Sequence, residues 1–132
     1  MLTFVKNKLG QVSLVAAETF KKDEVVFDLD LGEYFETPNL RTIELDPNHH
    51  VDNPYGRYTN HNCNPTCYVD KYNKVMRAIR DIKLGEEVNF NYLENETNIS
   101  TSFNCKCGAE NCVKFIGTEN SNPTYLDIPL PF

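Results

Sequence analysis

The sequence predicts a mainly β domain that is built from many short strands. Two observations favour this fold class. Apolar residues occur in short runs that are rich in Val, Ile, Phe and Tyr and that end at Gly, Pro, Asn or Asp. In addition, no window of the chain keeps an amphipathic helical pattern for three turns. We therefore expect strands to form the core and any helix to be short.

Seven runs along the chain have strand character. In chain order they are LTFVK (2–6), QVSLVA (11–16), EVVFDLDL (24–31), TIEL (42–45), TCYVD (66–70), KVMRAI (74–79) and EEVNFNY (86–92). The fifth and sixth runs flank the tripeptide KYN, a separation typical of a hairpin with a loop of about three residues. A short helix is expected within residues 53–58. The chain contains no internal repeat and no low-complexity segment.

The length and composition predict one domain with a thin core. The chain has 132 residues, of which 40% are hydrophobic, and it lacks Trp. A chain of this size buries only about two-thirds of the surface that its unfolded form exposes. We therefore expect an additional stabilising element, such as a bound metal ion.

The charge balance indicates a basic partner. Lys and Arg total 13 against 19 for Asp and Glu, which gives a formal net charge of -6. This sign disfavours direct binding to nucleic acid or to an anionic membrane. The start has no apolar run of signal-peptide length, and nowhere do about 18 apolar residues follow one another. The expectation is a soluble, intracellular protein, with nucleus and cytoplasm both open.

A cluster of cysteines near the end predicts a zinc site. The segment CKCGAENC places Cys105, Cys107 and Cys112 in a C-x-C-x4-C pattern. In a reducing compartment such thiols are typical metal ligands, although the segment could also be a turn with incidental thiols. One structural Zn²⁺ needs four ligands, so a fourth must come from elsewhere. The candidates are Cys63, Cys67, His49, His50 and His61.

The polar stretch RYTNHNCNPT (57–66) carries the strongest functional signal, although turn-forming residues alone could explain it as a surface loop. It resembles the R-F-x-N-H-S-C-x-P-N signature of the SET-domain protein lysine methyltransferases. LGEEVNFNY (84–92) resembles the G-E-E-L-x-F-D-Y strand of that family, and C-x-C-x4-C resembles its post-SET zinc element. LVAAETFKKDEVVFDLDLGE (14–33) resembles the opening segment more loosely. The resemblance covers residues from about 8 to 117.

The resemblance implies a particular architecture. It is that of a minimal SET plus post-SET unit, with several small sheets, a knot-like C-terminal threading and a zinc-bound post-SET segment. The SET domain would cover residues 1–100, the post-SET zinc element 101–117 and a C-terminal extension 118–132. Cys63 matches the family cysteine that completes the zinc site with Cys105, Cys107 and Cys112.

The resemblance also implies which residues bind the methyl donor, S-adenosylmethionine. Asn60 and His61 match the family's N-H pair, and Arg57 and Tyr58 flank the same surface. The family's G-x-G falls on residues 11–13, where Gly10 is a substitute if the register slips. The implied cofactor set is Gly10, Gln11, Val12, Ser13, Arg57, Tyr58, Asn60, His61 and Tyr92.

The implied reaction is methyl transfer to a lysine of a basic protein, such as a histone tail. The implied catalytic residues are Tyr92, Phe90 and Tyr58, and Tyr34 could supply the tyrosine that the family carries in its lysine channel. Phe90 resembles the versions that add two or three methyl groups. Acidic residues near the implied cleft could attract a basic peptide; these are Glu86, Glu87, Glu94 and Glu96.

Two other functions fit parts of the same pattern. One is a SET fold that has lost transfer activity and binds peptides, and the other is a zinc-stapled structural domain without a cofactor site. For the strand near the active site, the simpler alternative is that Val88, Phe90 and Tyr92 point into the core.

Overall fold

A computed structural model describes residues 1–118 and 121 of the chain, and most of its regular structure is β-strand. The strands are β1 Leu2–Lys6, β2 Val12–Ala16, β3 Val25–Asp28, β4 Glu33–Phe35, β5 Ile43–Asp46, β6 His49–Asp52, β7 Asn60–His61, β8 Cys67–Asp70, β9 Val75–Ala78, β10 Asn89–Phe90, β11 Phe103–Asn104 and β12 Phe115–Ile116. A helix, α1, spans Tyr92–Asn95, and a 3₁₀ turn spans Gly56–Tyr58. The predicted C-terminal extension, 118–132, lies almost wholly outside the described residues.

The strands form several small sheets, which confirms the predicted fold class. β1 and β2 form an antiparallel hairpin, and β11 pairs with β12. Two three-stranded sheets have the orders β3-β9-β8 and β4-β6-β5. β7 and β10 form a parallel pair. The knot-like threading stays a prediction. Within the described part of the chain, no helix has the length and apolarity that crossing a bilayer requires.

Several predicted elements are observed with different bounds. The β8–β9 hairpin has the predicted pairing, but its loop covers four residues, 71–74, because Asp70 pairs with Val75. The predicted run 86–92 is a strand only at residues 89–90, and the chain then turns into α1 at Tyr92. The Asn91 side chain explains this ending, since it accepts a hydrogen bond from the Leu93 N–H and so caps the helix.

The predicted run 24–31 ends as a strand at Asp28, and Asn53 explains why. Its side-chain amide donates to the carbonyl groups of Asp28 and Leu31, at 2.9 and 2.8 Å. The next residue, Gly32, has a φ of +130°, and a Cβ there would lie 2.2 Å from the Asp52 carbonyl oxygen. Only glycine fits this close approach, so the chain must bend at this point.

The core consists of two apolar clusters. The main cluster lies between the small sheets and includes Leu14, Leu29, Met76 and Val88, all with no measurable exposure. The second cluster lies around the cysteines and contains Cys63, Ile99, Cys105 and Ile116. The C-terminal part therefore has its own small core, which Tyr92 contacts together with the main one.

Candidate active site

The parallel pair of β7 and β10 brings two sequence motifs side by side. Asn60 pairs with Asn89, and His61 pairs with Phe90. Two further hydrogen bonds join Asn89 of β10 to Thr66, which lies between β7 and β8. The Asn89 side chain accepts from the Thr66 N–H at 2.8 Å, and the Asn89 N–H donates to the Thr66 hydroxyl at 3.1 Å. These bonds hold the RYTNHNCNPT loop against LGEEVNFNY.

A cavity of about 890 Å³ lies beside this pair. The predicted site residues that line it are Gln11, Ser13, Arg57, Asn60, His61, Phe90, Tyr92, Cys105 and Cys107. Residues 38–43, which lead from β4 into β5, and 98–101, after α1, also line it. The cavity is thus enclosed by segments that lie far apart in the chain.

Some predicted residues do not line this cavity. Tyr58 packs its ring edge-on against Phe4, with a centroid distance of 5.2 Å, so this position gives its expected catalytic role no support. Gly10 lies at the tip of the β1–β2 hairpin. Tyr34 lines a separate, smaller cavity and donates its hydroxyl hydrogen to Asp30, so its place in a lysine channel stays a prediction that this position does not support.

The side chain of Asn60 connects β7 to the hairpin at residues 11–13. Its amide donates to the Val12 carbonyl at 3.3 Å and to the Ser13 hydroxyl at 3.1 Å. Val12 is not one of the described residues that line the cavity, but its carbonyl holds the Asn60 side chain in place. Gln11, Ser13 and Asn60 therefore form one polar wall.

Tyr92 lies at the centre of an aromatic group. Its ring centroid is 4.7 Å from that of Phe90, 5.3 Å from His61 and 6.0 Å from Phe103. Its hydroxyl donates to the Thr59 carbonyl at 2.7 Å. Burial raises the pKa of Tyr92 well above its usual value, and the negative charges of Glu96 and Glu87 add to this. The hydroxyl therefore stays protonated at neutral pH.

The imidazole of His61 connects this tyrosine to the cysteines. Its Nδ1 accepts a hydrogen bond from the Tyr92 N–H at 3.0 Å, so in the neutral ring the proton is on Nε2. Nε2 lies 3.2 Å from the Cys63 sulfur and donates to it. Both ring nitrogens are therefore engaged within the protein, a role that the sequence motif alone does not reveal.

Four cysteines form a cluster that fits a tetrahedral metal ion. The sulfur atoms of Cys63, Cys105, Cys107 and Cys112 all lie within 4.8 Å of one another, and those of Cys63 and Cys105 are 3.9 Å apart. A tetrahedral Zn²⁺ with Zn–S bonds of about 2.3 Å needs sulfur–sulfur distances of about 3.8 Å. Cys67 lies outside the cluster and is fully buried, and burial raises its pKa to about 11.

The four thiols differ in how easily they become thiolates, because burial raises the pKa of Cys63 and of Cys105 whereas that of Cys107 is lowered. Although burial opposes it, backbone hydrogen bonds from Cys63 and Ala109 lower the pKa of Cys107 to about 6. The Asn111 side chain donates to the Cys63 carbonyl at 2.8 Å, which ties the C-terminal loop to the RYTNHNCNPT loop. This donor set is the one that Zn²⁺ prefers in structural sites.

Two of the four acidic residues noted in the sequence line the cavity. Glu87 and Glu96 do so, while Glu86 forms an ion pair with Arg80 and Glu94 is exposed. Burial raises the pKa of Glu96 to about 7, and the charge of Glu44 adds to this. The sequence motifs do not separate Glu87 and Glu96 from Glu86 and Glu94, because the side chains that line a cavity are decided by packing.

Comparison with known proteins agrees with this geometry. The profile of the SET-domain family matches residues 11–93. A histone-lysine N-methyltransferase of Gibberella zeae, named as H3 lysine-36 specific, is 33% identical over 96% of this chain. A protein of Coccidioides immitis with the same name is 46% identical over 93% of the chain. The chain spans only 14% and 13% of the length of these two relatives.

The fold also matches a solved structure. The crystal structure of KRYPTONITE in complex with mCHH DNA, an H3(1-15) peptide and SAH superposes with a TM-score of 0.69 and 21% sequence identity. The match covers 86% of this chain and 29% of that one. Because the family profile covers more than half of the 132 residues, the chain belongs to the SET-domain family.

Proposed function

We propose that this chain is a protein-lysine N-methyltransferase that transfers methyl groups from S-adenosylmethionine to histone H3. One observation carries the proposal: the Tyr92 ring and the Asn60–His61 strand meet at one cavity, although they come from motifs about 30 residues apart. The names of the curated relatives support histone H3, and lysine 36 in particular, as the substrate.

The residues present fit the methyl donor. The cavity volume lies within the range of about 300–1,000 Å³ that is usual for small-ligand sites. Gln11 and Ser13 stand where the family has glycines, and both line the cavity without filling it. The bound donor would supply a methyl group on a positively charged sulfur. Since the His61 nitrogens are engaged, His61 would contact the donor through its backbone and the face of its ring.

The aromatic group supports the chemistry that lysine methylation needs. A lysine in water has a pKa of about 10.4, so at neutral pH it carries almost no free amine. The rings of Phe90, Tyr92 and Phe103 offer an apolar channel that disfavours the ammonium form. The Tyr92 hydroxyl donates a hydrogen bond to the Thr59 carbonyl. Its oxygen lone pairs therefore remain available to orient the amine and to accept C–H contacts.

Phe90 supports a product with more than one methyl group. Its side chain is 3% exposed and packs directly on Tyr92. Phenylalanine has no hydroxyl to hold a water molecule beside the amine. A methylated amine therefore has room to rotate and to present its lone pair again.

A methyl-incorporation assay tests the proposed function. The wild type should transfer labelled methyl groups to histone H3, whereas Tyr92→Phe should lower the rate at least 100-fold because the amine loses its orienting oxygen. Calorimetry should show that both proteins bind S-adenosylmethionine with affinities within a few-fold of each other.

Tyr72→Phe is the matched control, because Tyr72 is 94% exposed on the β8–β9 loop. It should retain full activity. Equal losses of transfer and of donor binding in Tyr92→Phe would contradict the role of Tyr92. Donor and peptide binding without transfer by the wild type would show an inactive peptide-binding module instead.

A further inference from the structure

Glu96 is a partly buried carboxylate that follows α1 as its C-terminal capping residue, and it lines the cavity together with Tyr92. Its backbone N–H donates to the Tyr92 carbonyl at 2.8 Å, so the two residues are separated by one helical turn. The negative charge of Glu96 also adds to the raised pKa of Tyr92, so the two side chains lie within electrostatic reach of each other.

The carboxylate is held in place by neutral groups. Its Oε2 atom accepts from the Glu44 N–H at 3.0 Å and from the Asn95 side-chain amide. Both hydrogen bonds that we find on this carboxylate, among the described residues, go to Oε2. Since Oε2 already accepts both of these bonds, we assign the other oxygen, Oε1, to the incoming group.

The charges around Glu96 leave it without a cationic partner. The nearest cation, Lys71 from the β8–β9 loop, pairs instead with Glu44 of β5, with Nζ 3.0 Å from Oε2. No Lys or Arg in the described part of the chain forms an ion pair with Glu96. Three other titratable groups act on it: the negative charge of Glu44 raises its pKa, the positive charge of Lys71 lowers it, and Tyr92 is neutral. A cation that enters the cavity would therefore meet a carboxyl group that has no ion-pair partner of its own.

The other groups at the site are less suited to take a proton from the substrate, although burial also raises the pKa of the Glu87 carboxyl. Both His61 nitrogens are engaged, and Tyr92 is itself a donor. Glu87 lies at the polar wall, where Asn60 and Asn89 hydrogen-bond to it. Burial and the negative charge of Glu44 bring the pKa of Glu96 to about 7, which is close to the value that suits a general base at neutral pH.

We propose that the Glu96 carboxylate accepts the proton that the substrate lysine must lose before methyl transfer. This inference rests on the proposed function. In the step, an N–H bond of the lysine ammonium breaks and an O–H bond forms on Glu96. The freed lone pair then forms the N–C bond as the C–S bond of the sulfonium breaks, and sulfur keeps that electron pair. Glu96 later releases its proton to solvent through the cavity.

The test compares the pH dependence of kcat/KM for wild type and Glu96→Gln on a histone H3 peptide that spans lysine 36. The wild type should rise up to about pH 7 and then stay level. Glu96→Gln should be at least tenfold slower at pH 7 and should keep rising tenfold per pH unit to about pH 9. Without the base it depends on free amine, which is only about one part in 2,500 at pH 7.

Two variants serve as controls. Glu94→Gln lies on the exposed side of the same helix and should have the wild-type profile. Glu96→Asp keeps the acid and should recover part of the rate at pH 7. Both, and Glu96→Gln, should bind S-adenosylhomocysteine like the wild type, which shows that the fold is retained.

A second readout is independent of turnover. In ¹³C NMR spectra of the protein with S-adenosylhomocysteine, the Glu96 carboxyl should titrate near pH 7. The H3 peptide should lower that midpoint, because its ammonium favours the anion, whereas the same peptide with norleucine for lysine should leave it unchanged. Equal effects of the two peptides would overturn the proposal.

The outcomes separate this inference from the proposed function. An active wild type whose profile is unchanged in Glu96→Gln would overturn the inference alone, as would a profile that changes only in Glu87→Gln. A wild type that transfers no methyl group at any pH would overturn the proposed function and the inference together.

Discussion

His61 shows how one side chain can connect two sites. Its Nδ1 accepts from the Tyr92 backbone, and its Nε2 donates to the Cys63 sulfur. The ring edge also packs against Tyr92 and Phe103. A hydrogen bond to a thiolate stabilises its negative charge, so the same imidazole supports the metal site and fixes the backbone that carries the tyrosine.

Asn53 is a buried residue outside the family motifs, and its side chain forms four hydrogen bonds. It is fully buried, and its amide donates to two carbonyl groups before Gly32. Its Oδ1 atom accepts from the N–H groups of Tyr55 and Gly56, both at 2.9 Å. These four bonds join the end of β3 to the turn that leads into RYTNHNCNPT.

We expect Asn53→Ala to lower the free energy of unfolding by about 2–4 kcal/mol, because it leaves buried backbone groups without partners. Chemical denaturation monitored by circular dichroism measures this. Asn64→Ala, at an exposed position of the RYTNHNCNPT loop, should change the free energy of unfolding by less than about 0.5 kcal/mol. A comparable change in both variants would show that the four bonds contribute little.

At the scale of elements, the segment after α1 is attached to β5 by a buried acid. Glu44 is 2% exposed, and its carboxylate accepts from Lys71 Nζ and from the N–H and hydroxyl of Thr97, at 2.9–3.0 Å. Lys71 also donates to the Asn95 carbonyl at 2.9 Å. The β8–β9 loop, β5 and the end of α1 therefore form one unit behind the cavity.

This network makes stability depend on pH. Burial raises the pKa of Glu44, but the hydrogen bonds from Thr97 and Lys71 outweigh it and lower the pKa below the ordinary value. A lowered carboxyl pKa stabilises the fold above the unfolded value of about 4.3, and this contribution is lost as the pH falls through the folded pKa.

Lys71→Met should therefore destabilise the protein by about 1–2 kcal/mol at pH 7, a modest figure because Lys71 is partly exposed. The difference from wild type should shrink toward pH 3, well below the unfolded value of about 4.3, as Glu44 takes up a proton. Melting temperatures at pH 7 and pH 3 measure this, with the exposed Lys22→Met as control. A deficit that is equally large at pH 3 would assign the effect to packing instead.

At the scale of the whole molecule, the metal site supports a second, smaller core. The cysteine cluster packs with Ile99 and Ile116 and joins the C-terminal segment to the RYTNHNCNPT loop. Few apolar residues are available there, so four thiolates on one ion would contribute much of the local stability. Since Cys105 and Cys107 also line the cavity, loss of the metal would reach the active site.

Cys63→Ser should lower the zinc content from one ion per chain and weaken binding of S-adenosylmethionine, since it removes the ligand that joins the loop to the C-terminal segment. Elemental analysis and calorimetry measure the two effects. Cys67→Ala is the matched control, because Cys67 is buried but lies outside the cluster. It should lose stability through a small cavity yet keep one zinc ion. Full zinc content in Cys63→Ser would contradict the assignment.

Much of the fold could be predicted from local patterns, and the strands that were missed each have an identifiable physical cause. Alternating apolar residues and turn formers identified β1, β2, β8 and β9 nearly to the residue. Strand β6, HHVD, was missed because three of its four residues are polar, and it is held by pairing with two neighbouring strands. The end of β10 was missed because Asn91 caps a helix there.

The sequence by itself determined the fold class, the family motifs and three of the four clustered thiols, because strand alternation, turn residues and close cysteine spacing are local properties of the chain. The family resemblance added Cys63 as the fourth thiol, and the structure confirms that its sulfur lies in the cluster. Tertiary structure alone decided that both His61 nitrogens are engaged and that Glu96 lines the cavity while Glu94 is exposed. Each of these depends on groups that only folding brings within a few ångströms, such as the His61 imidazole and the Tyr92 N–H, 31 positions apart in the chain.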